Sequence, residues 1–120
     1  MSERRQFLRL PATLAAKYRI PPSWDMAPTT TATIGGGGAS VLIPQCLPYG
    51  AEVEIELTLP AAQQPIRFTT QVAWCDAQHS AASRPHQVGL EIVDIREQDH
   101  RLLTHYCLQH GGTLDQPPAA

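Results

Sequence analysis

Two segments in the middle of the chain alternate between apolar and polar side chains, and this period of two limits the possible folds more than any other feature. The apolar positions of the first segment are Val53, Ile55, Leu57 and Leu59. In the second segment, which covers residues 66–75, they are Ile66, Phe68, Val72 and Trp74. Because successive side chains of a strand point to opposite faces, each segment predicts a strand with one buried and one solvated face. The two strands should form an antiparallel hairpin, with Trp74 in the core.

Shorter apolar or β-branched runs that end at proline or glycine predict four more strands. They cover residues 14–20, 29–34, 40–43 and 88–92. Helical spacing appears only after residue 96, and a glycine pair at 111–112 predicts where the helix ends. The apolar residues on one side of this helix are Leu102, Leu103, Tyr106 and Cys107. The predicted fold is therefore mainly β, a small six-stranded antiparallel β-barrel with a C-terminal α-helix.

The chain of 120 residues is long enough for one domain with one hydrophobic core. We predict that this domain covers residues 1–112, with a flexible arginine-bearing arm over 1–12, and that residues 113–120 form a disordered tail. No stretch approaches the roughly 18 apolar residues of a membrane span, and the first residues lack the apolar segment of a signal peptide. The sequence thus predicts a cytoplasmic protein without membrane insertion.

Cysteine, histidine and serine residues form no recognisable catalytic or metal-binding pattern. Cys46, Cys75 and Cys107 are odd in number and far apart, which predicts free thiols and no disulfide framework. The histidines near Cys75, His79 and His86, and those of the helix lack the usual spacing of zinc ligands. No nucleophile is accompanied by a readable base and orienting residue. We therefore expect no metal, no cofactor and no enzymatic activity.

The distribution of charge indicates a localised site for an anion. The net charge of the chain is −2, yet residues 1–20 carry five basic residues and one acidic residue, a net charge of +4. The remaining residues carry four basic and ten acidic residues, a net charge of −6. A broad basic face for a nucleic-acid polymer is not indicated. A barrel that binds single-stranded nucleic acid is disfavoured further by the few candidates for exposed aromatic residues, Trp24 and Tyr49.

Two features in the first third of the chain could contact such an anion. Arg5 and Arg9 are spaced RxxxR with Arg4 beside the first, and guanidinium groups bind phosphates and the N7 and O6 edge of guanine. The second feature is the glycine run Gly35, Gly36, Gly37 and Gly38. A glycine run lets the backbone approach a ligand closely, with N–H groups open to an anion. The plainer interpretations are a solvated basic tail and a flexible turn.

In combination, these features resemble the PilZ domain family over about residues 3–108. The RxxxR motif of the family is matched by Arg5 and Arg9. Its second motif, (D/N)xSxxG between two barrel strands, is matched in part. Thr33 takes the Asp/Asn position, Gly35 the Ser position and Gly38 the position of the final glycine.

The resemblance implies a bacterial receptor for the second messenger cyclic di-GMP that relays the signal to a partner protein. The ligand-binding residues would then be Arg4, Arg5, Arg9, Thr33, Gly35, Gly36, Gly37 and Gly38. Arg5 and Arg9 would hold phosphates and guanine edges, while Arg4 would either cover the face of a base or supply long-range attraction. Each hydrogen bond lost through Thr33 and Gly35 would cost about 1–3 kcal/mol. The alternative is a PilZ-like interaction module that does not bind cyclic di-GMP, such as an adaptor in type IV pilus or motility machinery.

Overall fold

The structure is a computed structural model that describes residues 8–60, 62–76 and 85–114. These ranges form eight strands and one helix. In chain order the elements are β1 (Leu8–Pro11), β2 (Ala15–Arg19), β3 (Ala27–Gly35), β4 (Gly38–Ile43), β5 (Glu52–Leu57), β6 (Ile66–Cys75), β7 (His86–Ile95), α1 (Glu97–Gln109) and β8 (Thr113–Leu114). In this part of the chain, no helix has both the length and the apolar character needed to cross a membrane.

Six of the strands close into an antiparallel barrel. Their order is β2-β5-β6-β7-β4-β3, and β3 pairs back onto β2 to complete the ring. Closure removes the exposed sheet edges that a flat sheet of these strands would present. The helix α1 packs against β1, β3 and β6. The six-stranded antiparallel barrel with a C-terminal helix predicted from the sequence is therefore confirmed.

The two alternating segments supply the centre of the barrel core. Val53, Ile55 and Leu57 of β5 and the apolar residues of β6 up to Val72 are almost completely buried. Burial of one such side chain contributes about 1.5–3 kcal/mol. Thr70 is the polar member of the buried set, and its hydroxyl donates to the backbone carbonyl of Val53 at 2.7 Å. A buried hydroxyl that has this partner avoids the cost of an unsatisfied polar group.

Trp74 was predicted to lie in the core, and that prediction is wrong. The register between β6 and β7 shifts between Val72 and Trp74, so the alternation of inward and outward side chains is interrupted there. The indole is 45% exposed and packs over Gly89 of β7. A Cβ atom at Gly89 would lie 2.1 Å from the indole ring, so this position has room only for glycine while the ring stays in place.

Parts of the predicted arm and tail are strands. Residues 8–11 of the predicted 1–12 arm form β1, which pairs with residues 33–35 of β3. At the start of the predicted tail, β8 pairs with β1. The first half of β3 pairs with β2. Farther along β3, β1 pairs with the backbone groups of β3 that β2 does not reach. Residues 1–7, including Arg4 and Arg5, and residues 115–120 lie outside the described residues.

The prediction of free thiols is wrong for two of the three cysteines. Cys46 and Cys75 form a disulfide, with their Cα atoms 5.9 Å apart, although 29 residues separate them in sequence. The reason is topological. The strands β4 and β6 both pair with β7, so the end of β6 and the loop after β4 meet at the same end of the barrel. Cys107 is a free thiol and is buried.

We expect the Cys107 thiol to be unreactive in the folded protein. Burial raises its pKa, although the positive charge of Arg9 acts in the opposite direction. Because the thiolate is the reactive form, burial limits both access and nucleophilicity. After reduction, mass spectrometry should count two alkylated cysteines in native buffer and three in denaturant. Three alkylated cysteines in native buffer would contradict the burial of Cys107.

Candidate functional site

The predicted site residues that the structure describes meet at one end of the barrel. Arg9 of β1 lies opposite Gly35 in the register between β1 and β3. Its Nη2 donates a hydrogen bond to the hydroxyl oxygen of Thr33 at 3.3 Å. The turn between β3 and β4 lies beside this pair, so the structure brings Arg9, Thr33 and the glycine run together.

Thr33 is held by a polar network that also includes Ser40 and Gln87. Ser40 is completely buried, and its Oγ accepts hydrogen bonds from the backbone N–H of Thr33 at 3.2 Å and from Nε2 of Gln87 at 3.1 Å. The hydroxyl oxygens of Thr33 and Ser40 are 2.9 Å apart. No sequence pattern indicates Ser40 or Gln87 as site residues, because only the pairing of β4 with β3 and β7 places them beside Thr33.

The hydrogen-bond count determines what Thr33 can offer to a ligand. A hydroxyl has one hydrogen and two acceptor lone pairs. The two donors that reach Ser40 fill its lone pairs, so its own hydrogen points to Thr33. Thr33 Oγ1 therefore accepts from both Ser40 and Arg9. What remains at Thr33 is a hydrogen-bond donor, in contrast to the acceptor that an Asp side chain would supply.

The glycines at the two ends of the run are required by close backbone contacts. A Cβ atom at Gly35 would lie 2.4 Å from the carbonyl oxygen of Leu8 in β1. A Cβ atom at Gly38 would lie 2.0 Å from the carbonyl oxygen of Leu90 in β7. Both separations are far below ordinary contact distances, so β1 and β7 could not approach the turn in this way if either glycine carried a side chain.

Three hydrogen bonds connect the backbone of the turn to β1, α1 and β7. The N–H of Gly36 donates to the carbonyl of Leu8 at 3.3 Å. Its carbonyl accepts a hydrogen bond from Nε2–H of His100 in α1 at 3.0 Å. The carbonyl of Gly37 accepts from the N–H of Ile92 at 2.9 Å. The expectation that the N–H groups of the glycine run are open to an anion is therefore wrong for Gly36, because its N–H already donates to the carbonyl of Leu8 in β1.

The turn borders a shallow cavity of about 290 Å³. It is lined by Gly36, Gly37, His100 and residues 92–95 of β7. This volume is near the lower end of the range for small-molecule sites. The glycine turn therefore borders a shallow depression, and the guanidinium of Arg9 and the hydroxyl of Thr33 lie beside the same turn but outside the residues that line the depression.

Trp24, one of the two candidates for exposed aromatic residues, lies beside a separate cavity of about 520 Å³. Its side chain is 85% exposed, and the guanidinium carbon of Arg19 lies 5.1 Å from the centre of its ring. Nη2 of Arg19 lies 2.7 Å from Oε2 of Glu54, and Nη1 of Arg19 donates to the carbonyl of Ser23 at 2.7 Å. The loop between β2 and β3 is thus attached to the barrel through Arg19, while the indole of Trp24 remains exposed. Tyr49 is equally exposed.

Comparisons with known proteins identify the family of the chain. The family model described as the PilZ domain matches residues 3–109. The chain therefore belongs to the PilZ domain family. No match is found among curated protein sequences.

Several solved structures share the fold, among them the following three. The inhibitor of motility MotI/DgrA from Bacillus subtilis has a TM-score of 0.73 and 21% identity, over 91% of this chain and 52% of that chain. The PilZ domain of CeSA from a cellulose-synthesizing bacterium has a TM-score of 0.60 and 15% identity, over 85% and 96%. The PilZ domain of YcgR from Escherichia coli, with c-di-GMP, has a TM-score of 0.63 and 13% identity, over 89% and 91%. The chain thus spans about half the length of the MotI/DgrA chain.

Proposed function

We propose that this chain is a non-catalytic cytoplasmic receptor for cyclic di-GMP that relays the signal to a partner protein. The observation that carries the proposal is the position of Arg9. The pairing of β1 with β3 places its guanidinium beside the glycine turn, within hydrogen-bond distance of Thr33. A guanidinium held at this place matches the phosphates and the N7 and O6 edge of guanine.

The polarity of Thr33 limits which ligand atoms it can contact. Both lone pairs of its hydroxyl oxygen accept hydrogen bonds, one from Ser40 and one from Arg9. The hydroxyl can therefore donate a hydrogen bond to a ligand but cannot accept one. It therefore suits guanine O6, guanine N7 or a phosphate oxygen, all of which are acceptors. The N1–H and N2–H₂ donors of guanine would need another partner. In this respect the proposed binding mode differs from one based on an acidic side chain at this position.

The relay would act through the segment that precedes β1. Arg4 and Arg5 are within four residues of Leu8, where β1 begins, and would close over a ligand that Arg9 holds. If the ligand orders these residues, the surface beside β1, a strand that contacts both β3 and α1, changes. A partner protein that binds only this ordered surface would respond to the ligand. Backbone relaxation of residues 1–7 that is identical with and without ligand would contradict the mechanism.

Membership of the PilZ family supports the proposal. The structure of the YcgR PilZ domain, which has the same fold, contains c-di-GMP. The MotI/DgrA structure belongs to an inhibitor of motility, which is consistent with a partner in motility machinery.

Calorimetric titration of the full chain with cyclic di-GMP tests the proposal. We expect saturable binding with a Kd in the micromolar range or below, and no heat with cyclic di-AMP, which lacks the guanine edge. Absence of binding by protein whose fold is confirmed by circular dichroism would reject the receptor function. The second candidate, a PilZ-like adaptor that binds no nucleotide, would then take its place.

The adaptor alternative is favoured by the environment of Gly35, which leads to a prediction. The Gly35→Ser substitution introduces the serine of the family motif, but its Cβ would clash with the Leu8 carbonyl at 2.4 Å. We expect β1 to be displaced, with a loss of about 1–3 kcal/mol in the free energy of unfolding. Denaturant titration measures this loss, and Ala15→Ser at an exposed position of β2 is the control. A Gly35→Ser variant as stable as the wild type would show that β1 adapts to the serine.

A further inference from the structure

A second group of chemically reactive side chains lies at the opposite end of β4 and β7 from the glycine turn. It consists of Cys46, Cys75 and His86, whose candidate ligand atoms all lie within 4.8 Å of one another. Gly38 pairs with Glu91 near the turn, whereas Ile43 pairs with His86 at the other end. Five residues of strand separate the two ends, which is about 17 Å. The group is therefore independent of the proposed nucleotide site.

We propose that Cys46, Cys75 and His86 bind one zinc ion when the disulfide is reduced. Two thiolates and an imidazole are a common ligand set for Zn²⁺, with a fourth position left for water. Ligand atoms that lie about 2.0–2.3 Å from one ion are about 3.4–3.8 Å from each other. The two sulfur atoms are bonded to each other in the oxidised protein, so reduction must let them separate to this distance before the metal binds. Cys46 is exposed and the other two residues are half-buried, so both a metal ion and a reductant can reach the group.

The surroundings of His86 favour its role as a ligand. Its Nδ1 lies 3.1 Å from the carbonyl oxygen of Asp76, to which it donates as an N–H. The backbone of Asp76 is itself fixed, because its N–H donates to the carbonyl of Gln87 at 2.9 Å. A ring held in this way keeps the lone pair of Nε2 for the metal, which is the usual arrangement of a ligating histidine whose other nitrogen donates to a carbonyl.

The position of the three residues in the sheet explains why they meet. β7 lies between β6 and β4 in the sheet, and His86 is its first residue. Cys75 ends β6 on one side of β7, and Cys46 follows β4 on the other side. The three ligands thus come from three adjacent strand ends. A metal ion would connect the same two segments that the disulfide connects in the oxidised protein.

A dithiol reductant donates two electrons and two protons to the disulfide and is itself oxidised to a disulfide, which leaves Cys46 and Cys75 as thiols. On binding Zn²⁺, each thiol releases its proton to solvent, and two Zn–S bonds form while His86 contributes its Nε2 lone pair. In the oxidised protein the two sulfur atoms are bonded to each other, so no thiolate is available and the site is closed to the metal.

Cobalt titration of the full chain tests the inference, since Co²⁺ reports thiolate ligation and tetrahedral geometry in its absorption spectrum. We expect the reduced wild type to bind one equivalent with thiolate-to-cobalt absorption that one equivalent of zinc then removes. The oxidised wild type should show none. Cys46→Ser should abolish the signal, and His86→Ala should weaken binding at least about tenfold. His105→Ala, a change at an exposed histidine of α1, should bind cobalt as the wild type does.

A second measurement guards against variants that fail to fold. Zinc should raise the Tm of the reduced wild type in a concentration-dependent way, because a ligand that binds only the folded state stabilises it. The oxidised protein should show no such shift. Lack of thiolate-to-cobalt absorption by the reduced wild type, or a cobalt affinity that His86→Ala leaves unchanged, would overturn the inference. Neither result depends on whether the protein binds cyclic di-GMP.

Discussion

The Arg9→Ala variant should bind cyclic di-GMP at least about 10- to 100-fold more weakly than the wild type. This range corresponds to the loss of one guanidinium contact with a guanine edge or phosphate, worth about 1–3 kcal/mol. The loss should be larger than for most surface arginines, because β1 holds Arg9 beside the turn before the ligand arrives. Calorimetric titration with cyclic di-GMP measures the affinity of both proteins.

Two further variants make this result specific. Arg9→Lys keeps the positive charge but removes the planar pair of donors, so most of the affinity should still be lost. Arg101→Ala is the matched control, since Arg101 is largely exposed on α1 and pairs only loosely with Glu97 at 3.5 Å. An Arg9→Ala variant that is folded and binds as tightly as the Arg101→Ala variant would remove Arg9 from the site.

The largest effect on stability is expected for Gly38→Ala. The new Cβ would lie 2.0 Å from the carbonyl oxygen of Leu90 and 3.3 Å from the Cα of Glu91, and both atoms belong to the backbone of β7. A backbone neighbour cannot rotate away as a side chain can, so β4 and β7 must separate. We expect a loss of about 3 kcal/mol in the free energy of unfolding. For a domain of this size the corresponding decrease in Tm is roughly 10–20 °C.

Gly50→Ala provides the comparison, because the same substitution acts there by another mechanism. Gly50 has a φ of 83°, and a Cβ added to it would have no atom within 4 Å, so only the backbone conformation resists the change. That cost is about 1–2 kcal/mol. Denaturant titrations should therefore show a larger loss in the free energy of unfolding for Gly38→Ala than for Gly50→Ala. The opposite order would mean that β7 moves more easily than the pairing between β4 and β7 suggests.

The glycines at the two ends of the run also show why residues 35–38 cannot be interpreted as a ligand-binding motif alone. Gly35 and Gly38 are required by the approach of β1 and β7, whatever the turn binds. A chain with serine at position 35 would need a different position of β1. This chain departs from the (D/N)xSxxG pattern at position 35, where β1 occupies the space that a serine side chain would need.

The hydrogen-bond network around Thr33 accompanies a second departure from the (D/N)xSxxG pattern, at its first position. An aspartate or asparagine at this position would offer an acceptor, whereas Thr33 offers a donor because of its contacts with Ser40 and Arg9. If the chain binds cyclic di-GMP, the orientation of the guanine relative to this residue should differ from an acceptor-based mode. The structural consequence of one substitution thus extends to the hydrogen-bond polarity of the site.

Much of the fold could be predicted because its signals are local. The alternation in β5 and β6 follows from the pleat of a strand, which sends every second side chain to the same face. Prolines and glycines mark the ends of most strands, since they interrupt ladder hydrogen bonds or allow tight turns. The same local logic failed at Trp74, because the register shift that turns it outward depends on the partner strand β7.

The sequence by itself determined the class of fold, the approximate strand positions and the concentration of positive charge near the N-terminus. Each of these depends on neighbouring residues or on composition. The tertiary structure alone decided that β1 pairs beside the glycine turn, that Ser40 and Gln87 hold Thr33, and that Cys46, Cys75 and His86 meet at the other end of the barrel. These features join residues far apart in the chain, and only closure of the barrel brings the strand ends that carry them into contact.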